Sequence, residues 1–309
     1  MRAPALNRLV IARSDYMANF KCALVTLAVR ALPVCVLWRI LKRENERLFM
    51  DSSTTVNYVR EGQGPALVML HGFFMSTDLF AEQADLFSRT HTVIRIDSRG
   101  HGDTPHGSTP YSFWDQAEDV IAVLDAEGID AATIVGHSQG GFIALRLALA
   151  HPDRVAGLIL IASESGPSPA EEQQSYLELF SAWDSMGPVP ELTGPLADQI
   201  IGDPTVAAEW SAKWQQRQGI PVAPAGDCLL GRDDITDRLG EITCPALLLR
   251  GTDDQAISAE RAQPLVDHLP GLTAMVTIPG AAHTPHLTHP RVANAAMAGF
   301  LDAHRPDQA

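Results

Sequence analysis

The sequence predicts an α/β fold in which a mostly parallel central sheet is flanked by helices and a helical cap is inserted into the chain. Apolar runs such as residues 66–70 and 154–162 are typical of strands buried on both faces of a parallel sheet, and helical patterns alternate with them. Between residues 164 and 240 this alternation stops, and polar and apolar residues at helical spacing are punctuated by prolines. This middle segment therefore predicts the inserted cap.

The individual elements follow from the hydrophobic pattern. Residues 54–59 alternate between apolar and polar, which indicates a half-exposed strand near a sheet edge. Further strands are predicted at 66–70, 92–97, 132–135, 154–162, 246–252 and 273–278, and helices at 113–128, 142–150, 258–269 and 291–304. Strands and helices that alternate in chain order favour a parallel sheet covered on both faces.

Length, charge and cysteine content limit the number of domains and the kinds of function that the chain can have. The 309 residues allow one domain of about 250 residues with additional segments. The net charge of −14, from 37 acidic and 23 basic residues, argues against a general nucleic-acid-binding protein, which needs a basic surface. The four cysteines have neither CxxC nor metal-ligand spacing, so we interpret them as reduced thiols of a cytoplasmic protein.

The first 49 residues differ from the rest of the chain. Residues 1–50 carry nine Lys or Arg and three Asp or Glu, and residues 22–41 are mostly apolar. That length suits a membrane span, but Arg30 at its centre and Pro33 disfavour one. Three interpretations stay open: a non-native extension before a true start at Met50, an amphipathic arm on the domain or a membrane, and a membrane anchor. Membrane contact is expected only through residues 22–41, and a chain that begins at Met50 is expected to fold and be active.

A Gly-x-Ser-x-Gly pattern centred on Ser138 lies between the predicted strand 132–135 and a helical pattern. A sharp strand-to-helix turn would strain the backbone of Ser138, and Gly136 and Gly140 would remove the clashes that larger residues cause. The hydroxyl would then be exposed at the end of the sheet. By itself the pattern is also compatible with an ordinary turn and a capping serine.

Two backbone N–H groups are candidates for an oxyanion hole. That of Gln139 lies at a helix N-terminus, and that of Phe73 follows Gly72 in the turn after the strand 66–70. We interpret His71 as a structural hydrogen-bonding residue. Asp97 and Arg99 are expected to tie the glycine-rich loop 98–104 to the sheet, because that loop lacks a phosphate-binding spacing.

Acidic and histidine side chains follow the last two predicted strands. Asp253 and Asp254 come after the first of these, and His283, His286 and His289 after the second. A serine hydroxyl needs an imidazole as base, and the imidazole needs a carboxylate to fix its tautomer and stabilise its cation. Because open α/β sheets place their sites at the carboxyl ends of strands, these groups are expected to meet Ser138.

The motifs together resemble the α/β-hydrolase family over about residues 52–305. They occupy residues 71–73, 97–102, 136–141, 251–254 and 280–283. The resemblance implies a nucleophile at Ser138, an acid at Asp254 rather than Asp253, and a base at His283 rather than at the two later histidines. It also implies a hydrolase core over 50–163 and 241–309 with the cap at 164–240. One departure is Ala282, where the family often has glycine.

The expected function is that of a serine hydrolase that cleaves a carboxylic ester or lactone through an acyl-enzyme, without a metal or cofactor. A serine nucleophile argues against the dehalogenases and epoxide hydrolases of the family, which use aspartate. Alternatives are C–C bond hydrolysis, cofactor-free perhydrolysis and, from another class, a non-catalytic ligand receptor. The predicted cap carries Leu177, Leu179, Phe180, Trp183, Met186, Trp210 and Trp214. These residues suggest a small to medium hydrophobic substrate, although packing of the cap on the core explains them equally well; the oligomeric state stays open.

Overall fold

The computed structural model of the protein describes residues 56–304, so the predictions for residues 1–49 lie outside the described part. The strands are β1 Tyr58–Glu61, β2 Ala66–Leu70, β3 Thr92–Ile96, β4 Ala132–His137, β5 Val155–Ile161, β6 Ala246–Gly251 and β7 Leu272–Ile278. The α-helices are α1 Ala81–Phe87, α2 Phe113–Ala126, α3 Gln139–Ala150, α4 Ala170–Met186, α5 Pro190–Ile201, α6 Pro204–Gln215, α7 Ala223–Leu230, α8 Ala259–His268, α9 Pro285–Thr288 and α10 Pro290–Ala303. Short 3₁₀ turns lie at Thr77–Phe80, Pro152–Arg154 and Thr236–Glu241.

The seven strands form one sheet in the order β1-β3-β2-β4-β5-β6-β7. Only β1 is antiparallel; every other neighbouring pair is parallel. In the middle of the sheet, Val68 pairs with Ile94 on one side and Ile134 on the other, and all three are fully buried. The predicted α/β class is confirmed, because the continuous apolar runs are the interior strands; of the alternating run predicted at 54–59, only Tyr58 and Val59 lie in the edge strand β1.

Helices complete the core on the sheet. Nearly all of α3 is buried, which explains its apolar sequence on every side. Helix α2 packs against α3, where the rings of Phe113 and Phe142 meet edge to face with centroids 5.5 Å apart. Helix α10 contacts α1, β6 and β7. The short helices α1 and α9 have no counterpart among the sequence predictions, since segments of four to seven residues are too short to show a period.

The predicted roles of Asp97 and Arg99 come out differently. The Asp97 carboxylate accepts hydrogen bonds from the N–H groups of Thr77 and Asp103 and from the side chain of Asn57, so it does tie the loop to its neighbours. The Arg99 guanidinium instead forms a two-pronged ion pair with Asp119 of helix α2, at 2.6 and 2.7 Å, so this side chain ties the loop to a helix and not, as predicted, to the sheet.

Four helices, α4 to α7, fill the segment between β5 and β6, where inserted helices are predicted. Phe180, Trp183, Trp210 and Trp214 are buried there, and Phe74 from the loop after β2 packs against several of their rings. Leu177 and Met186 are exposed, so the packing expected of the apolar cap residues does not extend to them. The division into a separate core and cap stays a prediction. None of the helices between residues 56 and 304 has both the length and the apolar character needed to cross a bilayer.

Candidate active site

Ser138 lies between the end of β4 and the start of α3, as the turn prediction requires. Its φ of 52° and ψ of −116° are outside the regions that non-glycine residues normally occupy, so its backbone is strained. The turn is held by hydrogen bonds: the Ser138 N–H donates to Ile161 O, and the Ser138 carbonyl accepts from the N–H of Gly141 and from Ser163 Oγ. Hydrogen bonds on both sides therefore stabilise a strained serine whose side chain lines a cavity.

The glycines on either side of Ser138 have the predicted steric role. A Cβ atom on Gly136 would overlap the carbonyl of Gly140, and one on Gly140 would overlap the carbonyl of Leu70 in β2. In both cases the obstacle is backbone, which cannot move aside cheaply. The close approach of α3 to the sheet, and with it the position of Ser138, therefore requires glycine at both positions.

Asp254 and His283 follow β6 and β7 and meet at the same edge of the sheet. The Nδ1 atom of His283 lies 3.0 Å from both carboxylate oxygens of Asp254, and both residues are buried. With Nδ1 donating to the carboxylate, the neutral ring keeps its lone pair on Nε2. That is the tautomer a general base needs.

The environment of Asp254 favours its ionised form. Burial by itself would raise the pKa of the carboxyl group, but His283 and the N–H groups of Ala256 and Ile257, which donate to Oδ1 at 2.9 and 3.0 Å, lower the pKa below its ordinary value. The neighbouring Asp253 is exposed and accepts a hydrogen bond from Thr252. The structure thus places Asp254, not Asp253, beside the histidine.

The other histidines near the site are structural. His71 donates from Nδ1 to Gly72 O and accepts from the N–H of Ser98 through Nε2, so it joins two loops as expected. His286 is fully buried and stacks on Phe80, and neither of its ring nitrogens has a hydrogen-bond partner among the described residues, Asp254 included. Sequence reasoning missed His137, which donates from Nε2 to the carbonyl of His283 at 2.9 Å and holds the loop that carries it.

The two predicted oxyanion donors lie at this same edge. Gln139 is the first residue of α3, so its N–H is one of the groups that a helix leaves free in its first turn. Phe73 follows Gly72 in a turn closed by a hydrogen bond from the Met75 N–H to the Gly72 carbonyl, and its side chain lines the cavity with Ser138.

The cavity has a volume of about 510 Å³, and Ser138 and His283 both line it. Its apolar wall combines Phe73 and Phe142 of the core with Leu179, Leu196 and Ile200 of α4 and α5. Small-molecule sites commonly have this size and this mixture of apolar walls with a few polar groups.

A charged cluster that the sequence did not reveal lines another part of the cavity. It contains Glu164, Glu172, Arg232 and Arg261. Glu164 follows β5, is almost completely buried, and is paired with both arginines. These residues are separated by up to 97 positions in the chain, so no local pattern could have indicated the cluster.

Comparison with known proteins identifies the family. The family model for the alpha/beta hydrolase fold matches residues 65–186. A relative from Variovorax paradoxus, provisionally named carbamate hydrolase RutD, is 31% identical over 252 residues, which are 77% of this chain and 92% of the relative. The chain belongs to the α/β hydrolase family.

Other relatives of this α/β hydrolase act on different bonds. A pimeloyl-[acyl-carrier protein] methyl ester esterase from Edwardsiella ictaluri is 29% identical over 76% of this chain and 93% of its own length. The solved structure of Est816, an N-acyl homoserine lactone degrading enzyme, is 29% identical with a TM-score of 0.70 and covers 81% of this chain and 98% of its own. The relatives are hydrolases, which supports hydrolytic activity. No cluster of potential metal ligands occurs within residues 56–304 of this hydrolase.

Proposed function

We propose that this α/β hydrolase cleaves a carboxylic ester or lactone with Ser138 as nucleophile, His283 as base and Asp254 as the acid that orients it. The observation that carries the proposal is the pairing of the His283 Nδ1 atom with the buried Asp254 carboxylate at 3.0 Å, in a residue that lines the same cavity as the strained Ser138.

The geometry supports an acyl-enzyme mechanism. With its Nδ1–H held by Asp254, His283 takes the proton of the Ser138 hydroxyl on Nε2 as the oxygen attacks the substrate carbonyl. The imidazolium then gives that proton to the leaving alcohol, and the ester bond to it breaks. A water molecule, deprotonated by the same imidazole, attacks the acyl carbon. The bond to Ser138 Oγ then breaks, the imidazolium returns its proton to that oxygen, and the acid is released. Every step is a proton or acyl transfer, so none needs a metal or cofactor.

The N–H groups of Phe73 and Gln139 are proposed to stabilise the oxyanion of each tetrahedral intermediate. Both belong to rigid backbone, since one is in a closed turn and the other begins a buried helix. Donors that are fixed before the reaction stabilise the developing charge without reorganisation, and one such donor typically contributes about 10²–10³ in kcat.

The proposed substrate is a neutral ester or lactone of small to medium size with an apolar acyl part. The wall formed by Leu179, Leu196 and Ile200 supports an apolar acyl group, and the two cavity-lining arginines are already paired with glutamates. The esterase and lactone-degrading relatives favour these two bond types. C–C bond hydrolysis and perhydrolysis would use the same three residues, whereas a receptor on this scaffold would not need a reactive serine.

Two measurements test the proposal. A fluorophosphonate probe is expected to label the wild-type protein stoichiometrically and to leave Ser138→Ala unlabelled. A panel of p-nitrophenyl esters of increasing chain length, lactones, diketones and a peracid assay should show turnover on esters or lactones. Absence of labelling would remove the serine mechanism, and turnover confined to diketones or peracids would replace the ester assignment.

A further inference from the structure

One arginine lies between the loop that bears Asp254 and the helix α4. Arg261, in the first turn of α8, donates from Nε to Glu164 at 2.8 Å and from Nη2 to the same carboxylate. Its Nη1 reaches both carboxylate oxygens of Glu172 in α4, at 3.0 and 3.1 Å. One guanidinium therefore joins the end of β5 to a helix that forms the apolar wall of the cavity.

The same Nη1 also donates to the carbonyl of Ala256 at 2.8 Å. The N–H of the same peptide group, that of Ile257, in turn donates to Asp254 Oδ1 at 3.0 Å, and Asp254 holds the ring of His283. A short path of hydrogen bonds thus leads from Glu172 through Arg261 and one peptide to the carboxylate of the proposed acid.

The shape of the side chain suits this position. A guanidinium carries five N–H donors in a fixed plane, so it can bind two carboxylates and a carbonyl at once, which an ammonium group cannot do with the same geometry. Glu164 is about 3% exposed and also binds Arg232, so its carboxylate is held from both sides. Arg261 is therefore fixed on a rigid partner while it contacts the more exposed Glu172.

We propose that Arg261 is a positioning residue that fixes the Asp254 loop relative to helix α4, and so keeps the carboxylate aligned with His283. The proposal rests on the role of Asp254 in the proposed function. The hydrogen bonds of Arg261 go to Glu164, Glu172 and the Ala256 carbonyl and not to Ser138, Asp254 or His283, so its effect on turnover passes through the Ala256–Ile257 peptide to Asp254.

A double-mutant cycle between the two residues tests this. Arg261→Gln is expected to lower kcat on a p-nitrophenyl ester by about 10-fold to 100-fold, because small displacements of a catalytic group have effects of this size. Asp254→Asn is expected to lower kcat by about 10³–10⁴-fold. In the Asp254→Asn background, Arg261→Gln should change kcat by less than about 2-fold, since the residue it positions is already lost.

The control is Arg154→Gln. Arg154 also forms an ion pair, with Asp125, and donates hydrogen bonds to two backbone carbonyls. Unlike Arg261, it does not line the cavity. Its replacement should leave kcat and KM unchanged. Arg261→Lys restores the charge without the planar fork, and its kcat is expected to stay near that of Arg261→Gln; if Arg261→Gln does not fold, Arg261→Lys takes its place in the cycle.

The outcomes separate the two proposals. If Asp254→Asn keeps near-wild-type kcat, the proposed function itself fails. If that variant is impaired as expected but the loss caused by Arg261→Gln is fully additive to it, or if Arg261→Lys restores wild-type kcat, then Arg261 does not act by aligning Asp254. An unchanged kcat in Arg261→Gln overturns the inference equally.

Discussion

The cavity of this α/β hydrolase has two walls that are built in different ways. The sheet wall consists of the loops after β4, β6 and β7, which carry Ser138, Asp254 and His283. The strands that carry these loops are joined by the backbone hydrogen bonds of a parallel sheet, which fixes where each loop begins. The side chains of Asp254 and His283 are buried. The helical wall, by contrast, presents half-buried apolar side chains of α4 and α5, helices that begin at residues without side-chain caps.

This difference assigns different tasks to the two walls. Catalytic groups must be held within fractions of an ångström, which a hydrogen-bonded sheet provides. Apolar side chains on packed helices tolerate changes of volume at moderate cost, so they are suited to accommodate different acyl groups. Changes to the sheet wall should therefore affect kcat, and changes to the helical wall should affect KM and chain-length preference.

The largest expected effect is that of Ser138→Ala. Without the nucleophile, kcat on p-nitrophenyl esters should fall by about 10⁴–10⁶-fold. The fold should survive, because the hydrogen bonds that hold the turn use the N–H and the carbonyl of Ser138 and not its hydroxyl. Steady-state kinetics with thermal unfolding checks both points. The control Ser175→Ala removes a serine of the helical wall and should stay near wild type; a large loss there would erase the contrast between the walls.

The second largest effect is the expected difference in kcat between Asp254→Asn and Asp253→Asn. The buried amide of the first can no longer stabilise the imidazolium, so kcat should fall by about 10³–10⁴-fold. The second change affects an exposed side chain whose partner is Thr252, so activity should stay close to that of the wild type. The kcat values of the two variants provide the test, and the reverse ranking would transfer the role of acid to Asp253.

The sheet wall also carries a group, His286, that should make the free energy of unfolding depend on pH. Burial, together with the nearby His283, lowers the pKa of His286 from 6.5 to about 3, so between these values the unfolded chain binds a proton that the folded chain does not. The free energy of unfolding should thus fall as the pH drops below 6.5, by up to about 1.4 kcal/mol per pH unit for this group.

Replacing His286 with Phe should reduce that slope. Neither ring nitrogen of His286 has a hydrogen-bond partner among the described residues, and the ring stacks on Phe80, so Phe keeps an aromatic ring against Phe80 and loses no hydrogen bond. Urea unfolding at a series of pH values from 7 to 4.5 measures the slope for both proteins. Equal slopes would mean that His286 is not among the groups that make folding pH-dependent.

The smallest expected effect concerns the helical wall. Leu179→Ala should raise KM for an octanoyl ester by about 5–10-fold while kcat, and KM for an acetyl ester, change little, because Leu179 belongs to the apolar wall that we propose holds the acyl chain, and an acetyl group buries little apolar surface. Leu177→Ala, two positions away on the same helix, is the control, since its side chain is exposed. A fall in kcat on both esters for Leu179→Ala would show that the helical wall also takes part in the chemistry.

Much of this arrangement could be predicted because it depends on local pattern. The buried strands β2, β4, β5 and β6 coincide with continuous apolar runs, and the turn glycines Gly136 and Gly140 have the predicted steric role. The meeting of Asp254 and His283 could be predicted as well, because parallel strands bring their carboxyl ends to one edge. The catalytic roles of these residues stay proposals.

Other features had no local signal. Arg99 could be assigned to a loop, but its partner Asp119 lies 20 positions later, in α2, and no local pattern pairs the two. The short helices α1 and α9 span seven and four residues, which is too short for a hydrophobic period to show. The hydrogen bond from His137 to the carbonyl of His283 joins groups 146 residues apart.

The sequence by itself determined the chain order of the strands and the longer helices, the turn at Ser138 and the motifs that indicate the family, since each of these rests on residue types within a few positions of one another. Only the tertiary structure decided that Asp254 is buried while Asp253 is exposed, and that Arg261 joins Glu164 and Glu172. How deeply a charged side chain is buried, and which groups it pairs with, depend on the distant segments that pack around it. The packing of the whole chain determines which segments those are.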